Sequence, residues 1–532
     1  MPGGPSRAPN PMKPVSPTDQ APLTGPGEGG EIATELAERS PDLTDTTDLG
    51  GRADKSSAWT VGGLGVANVI RLVSNAGLVW LLSANNSDAR DEFGLMTMVS
   101  VFMMGLGMFS DVGIGPSIIQ SARGDSQRFL NTAWTFQVVR GFLLFGGAWL
   151  LAPHFADFFT DAERPGYAYL ATLIPVASLQ AVFQGFNSTK IFSAERHVNM
   201  APKIQGDLVA QVFAVSTMLI WAWVSPGIWA LVSGGLVQAL VIMIWSHTML
   251  PGERNRFDFE RPAAEELFSF GRWIFLSTMI TFFALQIDKL VLGGKVDEGT
   301  LGVYGQAIAI VNLPQFIGGV LTGTVIFPLL ATYARAEPEV LKAKFLSQRK
   351  TLLQATLLLF LGVILFSPPF FGLIYEPKFR DAGWIAPLLM ISSWFFLLSV
   401  TSDRALLARG KPRAIAVSNL VSALGKVAGG MLGFHLGGLR GFIIGLSLGT
   451  LAGHVVVQVT LARIDLAIHA QDFKYTAVAA LSGAAAWGLS SWLGVQSMEP
   501  GPLIIQTVIG VLVCAPLALL LYRRIRAVGV TG

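Results

Sequence analysis

Three cations interrupt stretches that are otherwise apolar: Arg71 within residues 59–84, Arg140 within 129–152 and Lys426 within 414–436. At the centre of a lone membrane helix each costs about 2.5 to 3.5 kcal/mol, so a chain that keeps three must wet them, pair them or use them. None is alone on its helical face. Arg71 has Ser74 and Asn75 three and four residues on, Arg140 has Gln137 three residues back, and Lys426 has Ser422 four back and Asn419 seven back. Residues at these spacings share one side of a helix. A cation heading a polar stripe suits a cavity wall that holds an anion, with arginine as a bidentate donor and lysine as a point charge. The same pattern serves an ion pair that ties two helices together, and each cation taken singly fits either role.

The acids in comparable stretches, Asp111, Asp207, Asp288 and Asp403, sit nearer the ends. Asp288 is the candidate ion-coupling site, with a helix–helix salt bridge as the alternative; its neighbour Lys289 cannot face it on an ideal helix, so its partner must come from elsewhere. Ser447, Thr450, His454 and Gln458 share a face of residues 439–462. A buried, hydrogen-bonded histidine is the default there, and a proton relay needs a carboxylate that the sequence does not place. No catalytic constellation stands out. The six histidines are dispersed, the lone Cys514 allows neither an intramolecular disulfide nor a cysteine metal site, and no phosphate-binding glycine loop is present. The chain therefore reads as a non-enzyme without cofactor or metal. Its net charge of +3 says little about partners, and no nucleic-acid partner is expected.

Positioning these residues falls to fourteen apolar stretches, approximately 59–84, 93–115, 129–152, 167–189, 204–224, 227–250, 271–293, 301–330, 351–374, 384–408, 414–436, 439–462, 474–495 and 503–522. About 20 helical residues cross the hydrocarbon core, so each can span a bilayer. The expected fold is an all-α polytopic membrane protein of about fourteen transmembrane helices. A hydrophobic fraction of 52% with 14% charged residues agrees, as does a mean hydropathy of +0.53. Basic residues between stretches alternate, 27 on one side against 6 on the other, which predicts both termini on the cytoplasmic face. Residues 1–55, rich in Pro, Gly, Ser and acids, are expected to be a disordered cytoplasmic tail without a cleavable leader, Glu31 to Arg39 being its one candidate helix. Glu339 to Lys350 and Ala263 to Arg272 are amphipathic and read as interfacial helices in contact with membrane lipids. Pairs such as Gly429-Gly430 are places where helices can approach closely.

Split before residue 260, the chain shows weak self-similarity: Trp59 and Trp273 open corresponding stretches, followed by Glu92-Phe93-Gly94-Leu95 and Thr300-Leu301-Gly302-Val303. Six stretches separate the copies, so the repeats are parallel. The expected organisation is a six-helix lobe over 56–255, a second over 256–465 and two added helices over 466–532. Asp91-Glu92-Phe93-Gly94-Leu95, Asp111-Val112-Gly113-Ile114-Gly115, Gln286 to Gly293 with Leu301 to Tyr304, and Tyr375 to Trp384 together resemble bacterial polysaccharide-transport proteins. These are oligosaccharide-lipid flippases of the multidrug/oligosaccharidyl-lipid/polysaccharide exporter superfamily. The resemblance implies two lobes around a central cavity and alternating access. It further implies a polyprenyl-pyrophosphate-linked oligosaccharide as substrate, a place in the bacterial inner membrane, and a polysaccharide polymerase and chain-length or export proteins as candidate partners. Arg71, Arg140 and Lys426 would then bind pyrophosphate or acidic sugar, and Asn75, Gln137, Asn419 and Ser422 would bond sugar hydroxyls. A multidrug or cation antiporter, a lipid II flippase and an integral-membrane polymerase or ligase are the competing readings. With no nucleotide site, the driving force is expected to be a gradient or the membrane potential.

Overall fold

The computed structural model describes residues 46–83, 88–111, 113–323, 338–495 and 499–530, and among these every regular element is helical. Helices satisfy their own backbone groups except at their ends, as hydrocarbon requires. In the first half of the chain they are α1 (Thr46–Ser83), α2 (Ala89–Phe109), α3 (Ile114–Gln120), α4 (Gln127–Phe159), α5 (Leu170–Ala177), α6 (Leu179–Gly185), α7 (Lys190–Arg196), α8 (Ala201–Val224) and α9 (Ile228–Thr248). The second half has α10 (Arg261–Gly293), α11 (Glu298–Leu321), α12 (Pro338–Leu373), α13 (Ala382–Ala408), α14 (Pro412–Ala462), α15 (His469–Trp492) and α16 (Pro500–Val530). Eleven segments among the described residues are long and apolar enough to cross a membrane. The expected number of fourteen is not established by this count.

Residues 55–532 form one contact unit. Residues 46–55, expected as the end of a disordered tail, are instead the first turns of α1, because extending an existing helix is far easier than starting one. The candidate helix from Glu31 to Arg39 lies outside the described residues. The second apolar stretch stops early, at Phe109. Asp111 Oδ1 accepts from the Gly113 amide at 2.8 Å and Gly113 turns left-handed at φ 66°, which re-aims the chain into α3. The two amphipathic segments are not separate surface helices. Each is the first part of a long helix, α10 or α12, and Phe345 and Arg349 are fully buried.

α14 is a hairpin rather than one rod. Gly437 and Gly438 leave helical geometry, the latter at φ 56°. On either side glycines recur every four residues, and Gly425 meets Gly449, Gly429 meets Gly445 and Gly433 meets Gly441 at backbone contact. A methyl at any of these would strike the other arm. This ladder places Lys426 on one arm and His454 on the other.

The apolar core is continuous at one end and divided at the other. Near the predicted outer ends, one cluster joins Leu78, Phe93 and Tyr167 from the first half to Leu301, Tyr304 and Phe379 from the second. At the opposite end, Phe345, Leu406 and Val457 form a cluster of the second half, while Ile118 and Phe129 form another with Leu267 of α10. Residues 251–260, which link the halves, run extended along α4. The Arg256, Asp258 and Glu260 amides donate to Asn131 Oδ1, Thr135 Oγ1 and Thr132 Oγ1 at 3.0–3.1 Å. Arg123 pairs with Glu260 at 2.5 Å.

Candidate functional site

The first half encloses a cavity of about 740 Å³, lined by residues between Met103 and Leu250. Arg140 reaches it from α4. Its Nε donates to Ser110 Oγ at 2.9 Å and its Nη2 to the Gly107 carbonyl at 2.7 Å, both at the end of α2, where carbonyls lack helical partners. Asp111 shares the wall, but among the described residues Arg140 makes no ion pair. Gln137 spans the same wall and caps α6, donating to the Gln184, Gly185 and Asn187 carbonyls at 2.9–3.2 Å. Asn187 also lines the cavity, and its Oδ1 is buried without a hydrogen-bond partner. A half-satisfied guanidinium and an unsatisfied amide oxygen are groups a polar ligand would complete.

In the second half Lys426 donates to the Ala284 carbonyl of α10 at 2.9 Å. One turn on, Asp288 accepts from Tyr304 at 3.0 Å and lies 3.3 Å from Lys289 Nζ. That adjacent contact departs from the sequence expectation, and the flexible lysine stem is what permits it. Ser422 packs on Gly453, and Asn419 is half-buried.

A second charged centre lies deeper. Arg349 of α12 is fully buried and pairs with Asp472 of α15. Its Nε donates to Thr401 Oγ1 at 3.1 Å, its Nη1 to Gln471 Oε1 at 3.2 Å and its Nη2 to the Leu398 carbonyl at 3.2 Å. His454 Nε2 lies 3.0 Å from Asp472 Oδ2, and Gln458 Nε2 lies 2.8 Å from the same oxygen.

The two halves meet at the predicted outer end. A methyl at Gly94 would overlap the Glu298 carbonyl, and one at Gly302 would overlap the Arg90 carbonyl, so α2 and α11 touch backbone to backbone. Trp80 Nε1 donates to the Ile374 carbonyl at 2.7 Å and Ser83 to Glu376 at 3.3 Å. Arg164 Nη1 donates to the Gly293 carbonyl at 2.9 Å. Asp88 bonds Arg90 at 2.8 Å and faces Lys378 at 3.8 Å; its carboxyl is held below the usual range, chiefly by the Arg90 hydrogen bond and against some desolvation.

The structure thus brings Arg140 and Gln137 to one cavity and Lys426 and Asp288 to one helix, α10. It does not gather all three cations into one contact set. Arg71 is exposed on α1 and Asn75 beside it half-buried, and neither lines that cavity. Sequence reasoning passed over Arg349 and Asp472. The polar face through His454 and Gln458 was the available signal, because such a face needs a partner.

This polytopic helical fold, with a polar cavity in one half that is closed against the other half at one end, is shared with solved membrane transporters. The solved structure of a lipid II flippase, MurJ, in an inward closed conformation superposes with a TM-score of 0.65 over 88% of this chain and 99% of that one, at 13% identity. Residues 89–383 match the polysaccharide biosynthesis protein family, and the chain belongs to that family. It is 24% identical over 57% of its length to the teichuronic acid biosynthesis protein TuaB of Bacillus subtilis, covering 61% of it. It is 23% identical over 61% of its length to the lipopolysaccharide biosynthesis protein WzxC of Escherichia coli, covering 64%. The match therefore spans less than two thirds of either relative.

Proposed function

We propose that this protein flips a polyprenyl-pyrophosphate-linked oligosaccharide across the bacterial inner membrane for surface or exopolysaccharide synthesis. The observation that carries the reading is Arg140: a guanidinium at membrane depth, held by two neutral acceptors, in the wall of a 740 Å³ cavity. Cavities of roughly 300–1,000 Å³ suit ligands of drug size, and a pyrophosphate with its first sugars is of that order. The pyrophosphate would take the remaining donor capacity of Arg140, with Arg71 and Lys426 as further cations. Asn187, Gln137, Asn75, Asn419 and Ser422 would meet sugar hydroxyls. The lobes at 56–255 and 256–465 would rock about the outer seam between α2 and α11, whose closed state and divided opposite end agree with loading from the cytoplasm. An inside-negative potential would assist outward movement of the anionic head by about 2.3 kcal/mol per charge per 100 mV, provided the carrier moves no compensating charge.

The test is translocation of a fluorescent lipid-linked oligosaccharide in proteoliposomes carrying the purified chain. Arg140→Ala is expected to slow it strongly and Arg140→Lys to restore part, because the lysine keeps charge without the fork. Full activity in Arg140→Ala at undiminished protein would remove the reading. Topology reporters after Lys203 and Arg413 should read cytoplasmic, and those after Asp161 and Glu298 external.

A further inference from the structure

The Arg349–Asp472 pair has a third member whose geometry suits two protonation states. Ser399 Oγ lies 3.1 Å from the Phe395 carbonyl, to which its hydroxyl donates, and 3.0 Å from His454 Nδ1. With its proton committed, the Ser399 oxygen accepts from Nδ1–H, so that nitrogen stays protonated throughout. The other ring nitrogen is the variable one. His454 Nε2 lies 3.0 Å from Asp472 Oδ2 and also 3.0 Å from Gln458 Nε2. When Nε2 is bare it accepts from the Gln458 amide, whose second hydrogen serves Asp472 at 2.8 Å. When Nε2 carries a proton it donates to Asp472 instead. Both forms are bonded without rearranging a helix, which few buried histidines achieve.

We propose that His454 is a proton-binding site of the transport cycle, with Arg349, Asp472 and Gln458 as its positioning residues. The inference rests on the transport reading above. A proton from water adds to the Nε2 lone pair, the ring becomes imidazolium, and the three charged groups pass from net zero to net +1. Arg349, with four hydrogen bonds of its own, keeps Asp472 ionised so that the incoming proton goes to the imidazole. The ionisable groups on surrounding helices are Arg349 on α12, Asp472 on α15, and Asp403 and Arg404 about a turn beyond Ser399 on α13. Asp403 is half-buried, with Oδ1 lacking a partner. A route to the cavity exists in packed elements. Ser418 donates to the Gly453 carbonyl, next to His454, at 2.8 Å, and Ser418 shares an arm of α14 with Lys426, which holds α10 at Ala284. α10 in turn meets the end of α2, where Thr278 donates to the Met108 carbonyl at 2.8 Å and Phe282 stacks on Phe109, beside the carbonyl that holds Arg140. α15, which sequence alone left as an appendage, carries the carboxylate of this site.

Two measurements on the full chain test it. In nanodiscs, labelled-histidine NMR should show a titrating ring that is absent from His454→Gln. In Gln458→Met its midpoint should shift upward, because both forms lose the bond to Asp472 and the bare form alone also loses the one to Nε2. In proteoliposomes, an imposed proton gradient should speed flipping by the parent but not by His454→Gln, whose melting midpoint should survive. A His454 resonance that does not titrate between pH 5 and 8, or a gradient response kept in His454→Gln, overturns the proposal. A titrating His454 in a protein that flips no lipid-linked sugar would remove the transport reading and with it the coupling, leaving the proton site alone.

Discussion

Arg140 and Arg349 are both arginines on helices long and apolar enough to cross a membrane, and they differ in what surrounds them. Arg349 has no exposed surface and spends its donors on a carboxylate, an amide, a hydroxyl and a carbonyl. Arg140 faces a cavity and is held by a hydroxyl and a carbonyl. A guanidinium has five donor hydrogens. Arg349 makes four hydrogen bonds to protein and Arg140 two; the fuller set fixes a residue in place, and the emptier one leaves it free to take a ligand. Saturation, more than position in the membrane, separates the two roles.

The contrast is most easily broken at Arg349. Arg349→Met leaves Asp472 buried beside an apolar chain and should destabilise the fold by about 3–5 kcal/mol, with Arg349→Met/Asp472→Leu regaining most of it. Thermal unfolding in detergent measures both; a single variant as stable as the parent would show that the buried pair is not what fixes α15. Arg140→Ala should behave oppositely. Loss of charged hydrogen bonds worth about 1.5–3 kcal/mol predicts roughly 10- to 100-fold slower flipping, while folding stability falls by about 1 kcal/mol or less. If folding suffers and flipping by the surviving protein does not, Arg140 belongs with Arg349.

The seam between halves sharpens the comparison by changing access without touching either arginine. Gly302→Val forces a side chain into the Arg90 carbonyl, at about 1–3 kcal/mol against the closed state. In a Cys514→Ser background, Ala89→Cys, buried in the cluster that joins the halves, should then label faster with a membrane-impermeant reagent, and unchanged labelling would deny that this seam opens. Arg71→Ala should leave stability within about 0.5 kcal/mol, as exposed substitutions do, and slow flipping only a few-fold; a large stability loss would place Arg71 in an ion pair. The smallest effect is expected at Asp88. Its carboxyl, held below the usual range by Arg90, contributes above about pH 4 and loses that contribution only as pH falls through the lowered value. Exposed pairs give roughly 0–1 kcal/mol, so Asp88→Asn should leave the pH profile between 5 and 8 unchanged. A changed profile would implicate the seam rather than His454 in proton response.

The helices were legible because hydrocarbon leaves one way to satisfy a backbone, and apolar runs mark where that applies. Helical spacing also put Arg140 and Gln137 on one face, and Gly429 was legible as a point of close approach because glycine is the residue two touching backbones require. Arg349 was not legible. Its neighbours Lys342, Lys344 and Lys350 made its segment look like a lipid surface, whereas the partner that buries it lies 123 residues further on. Pairing between distant helices leaves no periodic mark in either one. The break after Phe109 depended on a left-handed glycine following Asp111, a local turn that hydropathy does not register.

The strap at 251–260 makes the covalent join between halves nearly redundant. Its amides are already docked on α4 through Asn131, Thr132 and Thr135, and the backbone at Gly252 and Glu253 is exposed. A chain cut there would leave the second half carrying a ready-made peptide ligand for the first, with the outer seam as a second point of attachment. Two attachments of this kind reinforce each other through effective concentration, so the protein should assemble from two separately translated pieces, and each half could then be labelled, titrated or exchanged on its own.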